Sequence, residues 1–397
     1  IGACGCFGLG CLIVVGWWCV MFGVLFLLMF GLLLGGVGDL FGREPGIMSR
    51  VDLGNVSVVR ALDVWKLYVG TRYVDSAVYD GWYDPFGDRF TEDMYDCWLP
   101  KGVSGTADLY SVVLSAEPED DYVVLRTLWY RRVAGDLYPA TIAITRTYVL
   151  LGGDGVARLC NPVVMAMRGM KQRSVGGLSY VIDKDYKLNY AAAERMVDYC
   201  DSLSALYDVE DIRESYFVIA RSRDELASLC GVEYFASPPI GLAYPKSRLM
   251  LSSLGNEWYP HEMAHIVFRQ FSGSHPFLFE GLAVFVGGSI NDSYKELIQK
   301  AGQELRQRKV QPELKEIMGN PVAESLLYYA IAGLIIHRMY EAKGASGVKK
   351  LLTEVTGSTT IEEVIYVIDK KYDRADYSIS NSWYNTLLMY ADKYSNQ

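Results

Sequence analysis

The order in which patterning changes along the chain limits its fold more than any other feature. Short runs rich in Val, Tyr, Thr and Trp, separated by turn residues, fill residues 51–165. A few more short runs follow to about residue 252, and from there the chain reads as helix almost to its end. Tyr122–Tyr130 and Ala140–Leu151 read as strands, because β-branched and aromatic side chains fit a pleated, half-buried surface. Asp84-Pro85, Pro118 and the Gly152–Gly155 stretch read as turns. Tyr180–Ile182, Tyr216–Ala220, Gly241–Tyr244 and Arg248–Ser252 are further short strands. Between them, Asn189–Tyr207 is helical, with Met196, Cys200, Leu203 and Tyr207 on one face. Ser222 with Glu225, and Thr360 with Glu363, have the spacing at which a side chain and a helix-end amide satisfy each other. Strands first and helices afterwards mean an α+β fold, not a wound α/β sheet. The expectation is a β-rich domain over 51–165, which holds no His and no chemical motif, and a second domain over 166–397.

The N-terminal stretch stands apart. No residue from Phe7 to Gly38 is charged, and the run is longer than the ~20 residues a helix needs to cross the hydrocarbon layer. A secretory signal has a shorter apolar region, about 7–15 residues. Residues 7–38 therefore read as one transmembrane helix or signal anchor, with everything after about residue 45 on one side, expected to be extracytoplasmic. The formal charge of −9 shows no basic excess or stripe, which argues against a nucleic-acid partner. Cys4, Cys6, Cys11 and Cys19 lie in the apolar stretch. Cys97, Cys160, Cys200 and Cys230 are scattered without C-x-x-C spacing, so no cysteine-ligated metal site is expected.

The chemistry concentrates in Trp258–Phe268, which contains His261-Glu262-x-x-His265. Residues four apart share one helix face, so both imidazoles can reach one ion. Glu262 is turned about 100° from His261, beside the metal without being a ligand, where it can hold an attacking water. Pro260 suits a first-turn position, and Ile266, Val267 and Phe268 continue the helix as an apolar run. Downstream lies Pro276–Phe285, containing Glu280-Gly281-Leu282-Ala283. A turn at Phe271–Ser274 would join the two helices, and Gly281 and Ala283 are small enough for close helix packing.

This pair of segments resembles the gluzincin metallopeptidases, and more narrowly the peptidase MA-like group. The resemblance covers roughly residues 176–370. It implies a zincin-like domain in which His261, His265 and Glu280 hold one catalytic zinc ion and Glu262 is the general base. It extends to Glu324–Tyr340, similar to the family's helix with a Tyr-Ala motif, followed by a Gly-bearing turn at Gly344 and Gly347. On that helix Tyr329 matches the family's oxyanion donor, with Tyr328 as the alternative. Two departures stand out. Where thermolysin-type members carry an Asp four residues after the third ligand, this chain has Val284, so another carboxylate or a backbone carbonyl must steady a ligating histidine. The strand motif that anchors a free amino terminus in the aminopeptidase branch is absent from 239–252, which points to an endopeptidase or a processing enzyme. Strand 248–252 is expected to run beside the cleft and pair with an extended substrate.

His275 reads as a loop or capping residue, His337 as an interhelical histidine, and the charged stretch 292–309 as a solvated helix face. Asn55-Val56-Ser57 and Asn291-Asp292-Ser293 fit the glycosylation acceptor triplet. The functional expectation is a membrane-anchored zinc metallopeptidase acting on peptide or protein substrates. The alternative is a membrane binding or scaffold protein that keeps the zinc site without proteolysis.

Overall fold

A computed structural model describes residues 45–71, 79–83, 90, 94–99, 109–131, 139–290, 292–372 and 379–396. The proposed membrane segment 7–38, with Cys4, Cys6, Cys11 and Cys19, lies outside them, as does Asn291. Among the described residues no helix is long and apolar enough to cross a membrane. The fold is mixed α and β, in two compact units. The first takes the chain up to 85 with 93–165 and 228–237, and the second takes 86–92, 166–227 and 238–397.

In the first unit, β1 (Gly46–Ile47), β2 (Trp82–Tyr83), β3 (Leu109–Pro118), β4 (Tyr122–Arg131), β5 (Ala140–Leu151) and β6 (Ala157–Cys160) form a sheet in the order β1-β3-β4-β5-β6-β2. The expected strands at 122–130 and 140–151 are its long antiparallel centre, with Val123 opposite Val149 and Leu125 opposite Thr147. The turn at 152–155 closes through Gly155 N–H to the Gly152 carbonyl at 2.8 Å, with Gly155 at φ +77°. Several elements escaped the sequence reading, two of them instructive. Val56–Thr71 is a helix, α1, inside the span read as β-rich. Its buried Val58, Ala61, Leu62, Trp65, Tyr68 and Val69 follow helical spacing, and its valines mimic a strand in composition. Val232–Phe235, later in the chain and therefore β10, pairs with β5.

The second unit has a five-stranded sheet of β7 (Lys171–Val175), β8 (Leu178–Ile182), β9 (Tyr216–Ile219), β11 (Gly241–Tyr244) and β12 (Leu249–Ser252), in the order β11-β12-β9-β8-β7. β8, β9 and β12 are parallel, and β7 and β11 are antiparallel at the two edges. This corrects one expectation. The strand within 248–252, β12, is interior with its four residues all buried, and the outer strand is β11. A short strand with a buried apolar run needs neighbours on both sides.

The helices are α2 (Pro162–Met167), α3 (Tyr190–Tyr207), α4 (Arg223–Leu229), α5 (Pro260–Val267), α6 (Pro276–Gly287), α7 (Tyr294–Gln307), α8 (Leu314–Gly319), α9 (Ser325–Glu354), α10 (Ile361–Tyr372) and α11 (Ile379–Ser395). Asn189 caps α3, and Thr360 and Glu363 satisfy each other at the start of α10. At α4, Ser222 accepts the Glu225 N–H, but Glu225 accepts from Arg221 instead of Ser222. α9 breaks at Gly344, at φ +65° and ψ −166°, while Gly347 stays helical. α5, α6 and α9 share one core through Met263, Ala264, Leu282, Val284, Ile331 and Ile335. The crossing of α6 and α9 is close because a Cβ on Gly281 would lie 2.4 Å from the Ala332 carbonyl oxygen.

Candidate metal centre

Pro260 opens α5, and His261 and His265, one turn apart, stand on the same face with their rings 5.3 Å apart. Both are buried. The chain then runs through a 3₁₀ turn at Arg269–Phe271 into α6. That link is tied down at its far end. Ser274 Oγ donates to the Leu352 carbonyl at 2.6 Å, and His275 N–H to the Val355 carbonyl at 2.8 Å. His275 caps α6, its Nδ1 accepting the Phe277 N–H at 3.3 Å, which is the capping role read from the sequence.

α6 returns Glu280 to the two imidazoles. Glu280 Oε2 lies 3.3 Å from His261 Nε2, and Oε1 lies 3.5 Å from His265 Nε2. One ligand atom from each residue lies within 4.8 Å of the others. The carboxylate thus faces both Nε2 atoms, and no other group of three His, Cys, Asp or Glu converges this way among the described residues. Two imidazole nitrogens and a carboxylate are a donor set for a divalent transition metal. The residues fit such an ion.

The charges agree with that geometry. Burial disfavours the Glu280 anion, yet the His265 charge and the two imidazole hydrogen bonds hold its carboxyl far below the ordinary carboxylate range. Burial also pushes His261 down, but the bond to Glu280 and the Glu262 and Glu280 charges outweigh it, to about 9. Glu262 is pushed up, chiefly by burial, although both histidines pull the other way.

Around these ligands the structure supplies what the sequence reading left unnamed. His261 Nδ1 lies 2.7 Å from the Gly288 carbonyl oxygen, so a backbone carbonyl fixes the ring and leaves Nε2 to face Glu280. His265 Nδ1 is buried without a hydrogen-bond partner among the described residues. A Cβ on Gly287 would lie 2.7 Å from His261 N, so the end of α6 packs backbone to backbone against the start of α5. The Gly287-Gly288 pair was the available sequence signal.

Tyr329 on α9 faces the site edge-on, its ring centroid 6.2 Å from that of His261. Burial, then the Glu280 and Glu262 charges, push its phenol up, so it is a neutral donor. Tyr328 packs its ring on Phe277 at 5.1 Å. His337 is away from the ligands, with Nδ1 3.0 Å from the Tyr294 hydroxyl and its ring stacked on Phe285. Tyr259, which the sequence reading did not single out, stacks on His261 with ring centroids 6.5 Å apart. Comparison with protein families and with curated proteins finds no match to this chain.

Proposed function

We propose that this chain is a zinc-dependent peptidase of the gluzincin kind, with a zincin-like domain over 166–397. The observation that carries the reading is the convergence of His261, His265 and Glu280 from two helices onto one point, with Glu262 beside it. A bound zinc ion would supply an acidified water and polarise the scissile carbonyl. Glu262 then takes the proton of the attacking water and delivers it to the leaving nitrogen. The Tyr329 hydroxyl donates a hydrogen bond to the oxygen on which negative charge builds. The place for an extended peptide is beside β11, the outermost strand of its sheet. The Gly288 carbonyl gives His261 Nδ1 the acceptor that Val284 cannot supply, which supports the proteolytic reading over the scaffold alternative. A membrane anchor over 7–38 belongs to the same proposal and rests on the uncharged run alone.

Metal analysis and a casein or peptide-library assay with a chelator control test this. Wild type is expected to carry one zinc ion and to cleave, Glu280→Ala to lose the ion, and Glu262→Gln to keep it without cleaving. Zinc retained by Glu280→Ala, or full activity in Glu262→Gln, would reject the assignment.

A further inference from the structure

The lead-in to α5, residues 253–259, has no helix or strand of its own. It is held instead along α3 and the residues that enter that helix. The Tyr186 hydroxyl is shared between the Gly255 carbonyl at 3.0 Å and Glu257 Oε1 at 3.1 Å. The Asn189 N–H donates to Glu257 Oε1 at 2.7 Å. The Arg195 guanidinium lies 3.9 Å from the centre of the Trp258 ring, and the Tyr199 hydroxyl donates to the Pro260 carbonyl at 3.4 Å. These contacts follow one another in the same order along both segments, so the two run side by side up to the first turn of α5.

Glu257 is the unusual member of this series. It is buried, and an acid in that setting is costly unless donors meet it. Its nearest donor belongs to Asn189, the N-cap of α3, whose own Oδ1 accepts the Ala192 N–H at 3.2 Å. In a capping box the N–H of the N-cap residue goes to a Glu or Gln at the third helical position. That position is Ala192 here, which has no side-chain acceptor. Glu257, 68 residues along the chain from Asn189, supplies it. The box at the start of α3 is therefore closed by the segment that leads into the metal helix, just ahead of His261.

We infer that Glu257 is a positioning residue: by completing the cap of α3 from outside that helix, it fixes where α5 begins and so where His261 is presented. The consequence for zinc rests on the metal reading of the proposed function, and the tie between the two helix starts does not.

Glu257→Ala removes the acceptor. Ala192→Glu, added to it, closes the capping box within α3 itself. Amide hydrogen exchange of the metal-free full chain reads the two helix starts separately. Ala193 N–H donates to the Asn189 carbonyl at 3.0 Å in α3, and Met263 N–H to the Tyr259 carbonyl at 3.2 Å in α5. In Glu257→Ala both amides should exchange about 5–10-fold faster, the effect of one lost buried hydrogen bond on local opening. In the double variant Ala193 should return to the wild-type rate and Met263 should stay fast. Zinc Kd, from competition with a chromophoric chelator, should rise roughly tenfold in both variants, the lower end of what losing the support of a ligating histidine costs. Met263 exchanging at the wild-type rate in either variant, or zinc bound as in wild type while Met263 is fast, overturns the inference, and Glu257 then serves α3 alone. The double variant decides this even where Glu257→Ala by itself folds poorly. A wild type that holds no zinc would reject the metal reading, while the two amides would still decide the positioning.

Discussion

One methyl group at Gly288 should separate the support of the metal site from its ligands. The backbone there sits at φ +75° and ψ −152°, a region essentially closed to residues with a Cβ. An alanine Cβ would lie 2.2 Å from the Asp292 carbonyl oxygen, which is backbone and cannot rotate aside. The strain is about 1–3 kcal/mol, and it is relieved only if the turn at 288–292 shifts. The Gly288 carbonyl moves with that turn. It now accepts from His261 at 2.7 Å, so a displacement of roughly half an ångström takes the bond to the edge of useful geometry.

Losing such a partner costs about 10–100-fold in metal affinity, or about 1.4–2.8 kcal/mol. Gly288→Ala is therefore expected to lower the Tm of the metal-free protein by about 2–12 °C for a unit of this size. Separately, it should raise the zinc Kd by that factor, measured by competition with a chromophoric chelator. Gly302→Ala is the comparison. Its Cβ would lie 2.5 Å from Ala391 Cβ, where α7 meets α11, so it should lose stability and keep zinc affinity. If Gly288→Ala lowers Tm and binds zinc as wild type does, the carbonyl does not orient His261.

Two shorter predictions concern the neighbours of the site. Burial lowers the pKa of His275, and its neutral ring accepts the Phe277 N–H. Below pH ~6.5 the unfolded chain binds the His275 proton before the folded one does, so stability falls as pH drops through that window and is flat above it. His275→Asn, whose amide oxygen can cap at any pH, should flatten this part of a Tm-against-pH curve, and an unchanged slope would exclude His275 as its source. Tyr329→Phe should cut kcat about 10²–10³-fold with zinc bound as before, the loss expected for one oxyanion donor. Tyr328→Phe should stay within twofold, and equal losses in the two variants would undo the assignment of Tyr329.

What was legible in the sequence follows from which interactions leave a mark on side-chain identity. His261 and His265 were legible from their four-residue spacing and Glu280 from the resemblance of its segment, and the structure brings the three together. β4 and β5 were legible because Val123, Leu125 and Trp129 alternate with half-exposed partners. α1 was not, since Val56, Val58, Val59 and Val69 suit a strand by propensity and only the spacing of its buried residues reveals a helix. The outer strand was misread for a related reason. Leu249, Met250 and Leu251 form a continuous apolar run, which marks a strand buried on both faces. Gly241 was the better sign of an edge where another side chain approaches. Tyr259 was passed over because one aromatic beside a helix start is ordinarily core.

The substitute for the missing acid at 284 shows why part of the site stays hidden from sequence. Every residue carries a carbonyl, so an acceptor supplied by backbone has no letter of its own, and only the conformation that delivers it can be selected. At the end of α6 that conformation demands Gly287, to let His261 N approach, and Gly288, to take a positive φ. Val284 is fully buried, with Cγ1 against Gly333 at the crossing of α6 and α9. A carboxylate in its place would enter an apolar contact and need a partner to offset its desolvation. A carbonyl from the turn after the helix reaches His261 Nδ1 without burying any charge. On the proposed reading the two glycines and the valine are therefore one solution: the acid is dispensable because the helix end delivers the Gly288 carbonyl to His261 Nδ1.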